Sequence, residues 1–199
     1  GGKTVVISSP TKSIDTPTVV NGVHTAAGRV SLFACASCTT NSISPLIEIL
    51  GRRIGIKKAI LNTTHAYTAS QSLVDGPSKK EPRIGRAAGM NLAPAATGAA
   101  IATTKALPQY AGKFDGIAVR SPVVVGSISD VTFIAARPTS VDEINNILKE
   151  EAGTDRYKEV VSVTDEPLVS TDIIKSAYAA TVDLELTRVV DGDLVKVMA

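Results

Sequence analysis

Ala36-Ser37-Cys38-Thr39-Thr40-Asn41 sets a cysteine among small hydroxyl residues, between an apolar run at 30–33 and an amphipathic segment. That is where a strand would hand over to a helix. A helix start offers unpaired backbone N–H groups and the positive end of the helix dipole, and both favour a thiolate over a thiol. A free thiol titrates near about 8.5, so little of it is nucleophilic at neutral pH without such help. The same N–H groups, with the hydroxyls of Ser37 and Thr39, suit a phosphate. Cys38 also fits a second description, a small buried hydrophobe, because free cysteine is among the most buried residue types.

A cysteine nucleophile needs a base, and the chain has two histidines, His24 and His65. His24 lies in a Gly/Asn-rich turn and reads as an exposed bystander, since turns sit at the surface. His65 ends a strand pattern and precedes Ala66-Tyr67-Thr68. It reads equally as a base in a cleft or as a satisfied structural histidine. Thr68, the pair Thr97-Gly98 at a helix start, and Arg120 inside an otherwise apolar strand are candidate anion ligands. A buried guanidinium without a partner is very costly. Arg120 is therefore either half of a structural salt bridge or a bidentate clamp on phosphate or carboxylate. Together these residues suggest thiol chemistry on a phosphorylated substrate. Cys35 and Cys38 also form a C-x-x-C pair, which invites a zinc or redox reading. Zinc would need two further ligands, whereas disulfide oxidoreductases do place such a pair at a helix start.

The elements that must carry these residues belong to an ordinary globular chain of 199 residues, 44% hydrophobic and 20% charged, with a net charge of +2. That balance argues against nucleic acid and membrane surface as partners. No apolar run approaches the roughly 20 residues that span a bilayer, and no charged-then-apolar leader is visible. The expected compartment is the reducing cytoplasm. The chain opens on Gly1-Gly2-Lys3 and stops at Val197-Met198-Ala199 after a strand. This predicts a piece of a longer protein.

Residues 4–8 (TVVIS) read as a buried strand, with 18–20 and 30–33 as further short strands and Asn21-Gly22 as a turn. Ile43, Leu46, Ile47 and Leu50 share one helix face. Pro45 means either that the regular helix begins near Ser44 or that a helix from Cys38 is kinked, and Gly51 is the expected stop. Residues 58–64 read as a strand. Residues 70–96 read as a long functional or partner-contacting loop. Thr97-Gly98 opens an alanine-rich helix ending at Pro108. Residues 114–125 and 127–136 read as two long strands around Gly126. Ser140 and Glu143 form a capping box for a helix that buries Val141, Ile144, Ile147 and Leu148 and ends at Gly153. A strand at 160–163 precedes a hairpin of 181–190 and 194–198 about Asp191-Gly192, a type I′ turn signal. The predicted class is α+β, a mixed and largely antiparallel sheet with helices on one face.

Five separated motifs stand in the order found in glyceraldehyde-3-phosphate dehydrogenases: Ser37-Cys38-Thr39-Thr40-Asn41, Thr64-His65-Ala66-Tyr67-Thr68-Ala69, Asp75-Gly76-Pro77-Ser78, Thr97-Gly98-Ala99-Ala100 and Arg120-Ser121-Pro122. Over essentially its whole length the chain resembles the catalytic domain of that family. The resemblance implies that residues 1–37 are the last strands of a Rossmann-type nucleotide-binding domain. It makes 38–199 the catalytic domain without its final helix. It implies Cys38 as the nucleophile that forms a hemithioacetal and then a thioester, with His65 as base and NAD as cofactor. Ser37, Thr39, Thr97 and Gly98 match the family's inorganic-phosphate site, and Thr68 and Arg120 match the site for the substrate's own phosphate. Ser8 falls on the cofactor side. The long loop, with Arg83 and Arg86, matches one that packs against a neighbouring subunit's cofactor in what is usually a homotetramer. The implied reaction converts glyceraldehyde 3-phosphate to 1,3-bisphosphoglycerate in glycolysis, with the isolated piece inactive. Erythrose-4-phosphate dehydrogenase, a thiol hydrolase and a non-catalytic assembly module are the alternatives. Cys35, Ser42, Ser70 and Ala96 depart from the family's usual residues, the last two beside the anion sites.

Overall fold

A computed structural model describes residues 3–13, 15–23, 30–78 and 81–199. Alternation along its long strands decides the architecture. In β3 (Ile56–Ala66) Leu61 and Thr63 are buried, while Asn62 between them is exposed and Ile60 before them is 59% exposed. In β6 (Ser127–Ala135) Ser129, Val131, Phe133 and Ala135 are buried, every second residue. Such a period of two builds a sheet with one covered face. β3 and β6 join β4 (Ala93–Ala96), β5 (Phe114–Ser121), β7 (Val161–Thr164), β8 (Ala180–Val190) and β9 (Leu194–Met198). The order is β4-β5-β3-β6-β9-β8-β7. Four of its six neighbouring pairs are antiparallel, and β3–β5 and β7–β8 are parallel. α1 (Cys38–Arg53), α2 (Ala99–Ala106) and α3 (Val141–Ala152) cover the buried face. The α+β class expected from the sequence is the observed one.

Several local expectations are corrected. Of the two readings left open by Pro45, the helix from Cys38 is the observed one: α1 begins at Cys38 and carries Pro45 inside it. Pro45 has no N–H to give the Asn41 carbonyl, a loss that the buried face of Ile43, Leu46, Ile47 and Leu50 offsets. Gly51 does not end it. A Cβ there would come within 1.8 Å of the Tyr110 hydroxyl, so Gly51 is the hole that receives Tyr110. The stop is Gly55, at φ +83, whose N–H bonds the Leu50 carbonyl. Within the expected loop, residues 93–96 form edge strand β4. Its Pro94 hid it, although an edge position tolerates proline. β5 ends at Ser121 rather than at 125, and β3 lies between β5 and β6.

β1 (Val5–Ile7) and β2 (Leu32–Ala34) form a separate two-stranded parallel sheet. β1 is not buried: Val5 and Val6 are 54% and 52% exposed, because no layer of the described residues packs on that side. Residues 18–20 form isolated bridges, Thr18 with Ala34 among them, rather than a strand. The hairpin of β8 and β9 turns through Asp191 and Gly192, both at positive φ as a type I′ turn requires. Ser140 caps α3 by accepting from the Glu143 N–H. The Glu143 carboxylate turns instead to Arg137 and Thr139, so the box is half formed.

Behind α1, Glu48 accepts from the hydroxyl of fully buried Tyr157 at 2.6 Å and pairs with Arg52 and Arg156. Arg52 and Arg53 both reach the buried Glu151 of α3. Arg156 also donates to the Gly22 and Val23 carbonyls, which ties the N-terminal segment to this network.

Candidate active site

Cys38 stands at the first position of α1, and three local features hold it there. Ala36 occupies the left-handed region at φ 60, which turns the chain sharply out of β2. Ser37 is the N-cap, its hydroxyl accepting from the Thr40 N–H at 3.1 Å. Asn41 donates from its side-chain amide to the Cys35 and Ser37 carbonyls at 2.6 and 2.8 Å. The sequence signal for this role of Asn41 is its poor fit to a helix interior.

His65 comes from the end of β3 and faces α1. Its Nε2 lies 3.3 Å from Cys38 Sγ. Arg120 is its partner in the parallel register of β5, so both side chains leave the sheet on the same side. A cleft of about 200 Å³ is lined by Ser37, Cys38, Thr39, His65, Thr97, Gly98 and Arg120. Seven residues separated by up to 83 positions in sequence are thus brought to one concavity. Thr68 is not among the lining residues. It is exposed beyond the strand end and bonded to Ser70 at 3.0 Å. Ser8 is exposed after β1, while Pro10 reaches the cleft. His24 lies outside the described residues. Thr63 lines the cleft and was not foreseen. Its place two residues before His65 on the same strand face was the signal.

The electrostatics favour an ionised thiol. The hydrogen bond from His65 lowers the Cys38 pKa to about 7; partial burial opposes it, and the His65 charge and Thr39 assist. His65 is correspondingly raised, first by its bond to Cys38. Arg120 has no carboxylate partner among the described residues. Its Nη1 donates to the Ala66 carbonyl and sits against His65. The structural salt bridge was thus not made, and the guanidinium faces the cleft. Thr97 Oγ1 accepts from the Ala99 N–H at the start of α2.

A second cavity, of about 460 Å³, shares Cys38 with the cleft and is lined mainly by apolar groups, among them Ile128, Leu168, Val169 and Tyr178. Both cysteines are free thiols, Cys35 half-buried and Cys38 exposed. Among the described residues no group of three or more His, Cys, Asp or Glu is placed to hold a metal ion. The loop from 70 to 92 is built on itself. Asp75 accepts from Arg86 and from the Ala87 N–H, and Gly85 lies so close to the Gly76 carbonyl that a Cβ would not fit. It leaves Leu73, Val74, Met90 and Leu92 exposed, with Arg83 and Arg86 also at the surface.

Residues 37–199 match the family described as glyceraldehyde 3-phosphate dehydrogenase, C-terminal domain. The chloroplastic glyceraldehyde-3-phosphate dehydrogenase A of Scenedesmus vacuolatus is 40% identical over the whole chain, which covers 63% of that protein. The glyceraldehyde-3-phosphate dehydrogenase of Mycobacterium bovis (strain BCG / Pasteur 1173P2) and glyceraldehyde-3-phosphate dehydrogenase 1 of Trichoderma koningii are each 41% identical over the whole chain. The chain spans 58% and 59% of their lengths. By the match over residues 37–199 and these identities, the chain belongs to the glyceraldehyde 3-phosphate dehydrogenase family and carries its C-terminal domain.

Proposed function

We propose that this chain supplies the reacting groups for the NAD-dependent, phosphorylating oxidation of glyceraldehyde 3-phosphate to 1,3-bisphosphoglycerate. The observation that carries the reading is the 3.3 Å Cys38–His65 pair at the helix start, in one cleft with Ser37, Thr39, Thr97, Gly98 and Arg120. The Cys38 thiolate adds to the aldehyde carbon and forms a hemithioacetal. His65 Nε2 takes the hydroxyl proton, a general-base role typically worth about 10²–10⁴ in rate. The unpaired N–H groups at the start of α1 stabilise the developing oxyanion. The hydride that leaves this carbon would need an acceptor, which is the chemistry a bound NAD would supply. The apolar cavity beside Cys38 has room and lining for a flat ring, and Ser8 is assigned to the cofactor side. Inorganic phosphate held by Ser37, Thr39, Thr97 and Gly98 then displaces the thiolate from the thioester and leaves as an acyl phosphate. Arg120, with Thr68, binds the phosphate already on the substrate.

Residues 1–37 are assigned to the end of a nucleotide-binding domain and 38–199 to the catalytic domain. Their separate sheets and the family match from 37 support that division. Taken alone, the chain is assigned no turnover. Homo-oligomerisation is part of the proposal, supported by the exposed apolar side chains Ile60, Ile117 and Ile128 on the uncovered sheet face. A reducing compartment such as the cytoplasm suits a mechanism that needs Cys38 as a free thiol. No described helix is long and apolar enough to cross a membrane.

The acyl-transfer half of the reaction needs no NAD and tests the reading directly. Acetyl phosphate is expected to acetylate Cys38, seen by intact mass and lost with Cys38→Ser and on treatment with hydroxylamine. Failure of the wild-type chain to form a thioester would favour the assembly-module alternative.

A further inference from the structure

Three polar atoms meet at the cleft, and only one of them can change role. Arg120 Nη1 lies 2.7 Å from His65 Nδ1 and 3.0 Å from the Ala66 carbonyl oxygen, and that oxygen is itself 2.7 Å from Nδ1. An arginine nitrogen only donates and a carbonyl oxygen only accepts. In a neutral ring Nδ1 must therefore choose. It can accept from Arg120, with the ring proton on Nε2. Otherwise it carries the proton, donates to Ala66 and faces the guanidinium as donor against donor.

The two tautomers differ at the reacting atom. Nε2 is the nitrogen 3.3 Å from Cys38 Sγ. With its proton on Nε2 the ring donates to the thiolate and has no lone pair there for a substrate hydroxyl. With the proton on Nδ1, Nε2 is a free base. Charged groups near the ring are few among the described residues: Cys38 from α1 and Arg120 from β5. β6 presents Ser127 opposite His65, and β4, α2 and their junction present Ala96, Thr97, Gly98 and Ala99. Asp183 lines the adjoining cavity that shares Cys38.

We propose that Arg120 is a positioning residue that sets the His65 tautomer, and that a phosphate group bound by its guanidinium switches the ring from the Nε2–H to the Nδ1–H form. The base is then armed only when an anion is in place. This deepens the function proposed above and rests on its reading of Arg120 as an anion ligand. A phosphate oxygen is an ionised acceptor whereas Nδ1 and the Ala66 oxygen are neutral, so the guanidinium gives up both for the ion–ion bond to the anion. Nδ1 then donates to the vacated carbonyl. One proton leaves Nε2 for solvent and one arrives at Nδ1, so the ring stays neutral.

The test is long-range ¹H–¹⁵N NMR of the imidazole nitrogens in the ¹⁵N-labelled chain, with His24→Gln to leave one histidine, above the His65 titration. Without added anion, the proton is expected on Nε2. Saturating inorganic phosphate, or glycerol 3-phosphate as a phosphate monoester, is expected to move it to Nδ1. A swing from about one part in ten to about nine in ten asks phosphate to bind that tautomer about a hundredfold more tightly. A response to glycerol 3-phosphate alone would assign the switch to the substrate's phosphate, and a response to both to any phosphate at Arg120. Arg120→Met is expected to hold the Nδ1–H form throughout. An Nδ1–H ring in the anion-free chain overturns the proposal. So does an unchanged tautomer while ³¹P line broadening reports phosphate binding that Arg120→Met abolishes; the anion-site reading would then stand alone. Broadening that is absent, or indifferent to Arg120→Met, removes both. The wild-type titration decides even if the variant does not fold.

Discussion

Cys38 and His65 are a pair whose titrations pull in opposite directions, the thiol down to about 7 and the imidazole up. The reactive thiolate appears as pH rises through the thiol pKa, so alkylation by iodoacetamide is expected to have its midpoint near 7. In His65→Asn the midpoint moves up toward the free-thiol value of about 8.5, and the rate at pH 7 falls about tenfold. Cys35→Ser leaves the profile unchanged, because Cys35 enters the site only through its backbone carbonyl, held by Asn41. A disulfide reductase would instead lose its function with that substitution. A flat profile near the free-thiol value in the wild-type chain would mean that the pair does not form.

At the scale of elements, glycine positions decide where helices end and what packs on them. Gly55 is held at φ +83, and a Cβ there would stand 2.6 Å from the Cβ of Ala136. Gly55→Ala therefore combines left-handed strain with a clash across to the residue after β6. The expected loss is about 2–4 kcal/mol, read as a fall in Tm of about 5–15 °C. Gly89→Ala is the control, since no atom lies within 4 Å of its Cβ and its φ is not positive. A Tm change equal in the two variants would remove Gly55 as the structural stop of α1.

The whole molecule is a sheet covered on one side. On the uncovered side Ile60, Ile117 and Ile128 stand among Lys58, Asp130 and Lys196, and a shallow cavity there is lined by Lys58, Ile60, Phe114 and Ile134. Ile60→Glu is expected to reduce the proposed self-association, seen as a smaller species by sedimentation velocity. Its Tm at low concentration should stay within a few degrees of the wild type, because Ile60 contributes little to the buried core. A variant that sediments as the wild type does would move the interface off this face.

Much of this protein was determined by local chemistry that a linear sequence displays. A cysteine between hydroxyl residues at a strand-to-helix change, a histidine at a strand end, the period-two strands and the Asp191-Gly192 turn each depend on neighbours within a few residues. For that reason the α+β class, the Cys38 helix start and the hairpin were legible. What tertiary structure alone decided were the relations across long separations. Pro45 is carried inside α1 because the helix is buried against the sheet, Gly51 is a socket for Tyr110, and Pro94 sits in a strand because that strand is an edge. The parallel register of β3 and β5 sets Arg120 beside His65, 55 residues away. Propensity and spacing do not encode such pairings, since they arise when distant strands choose partners to bury their apolar faces.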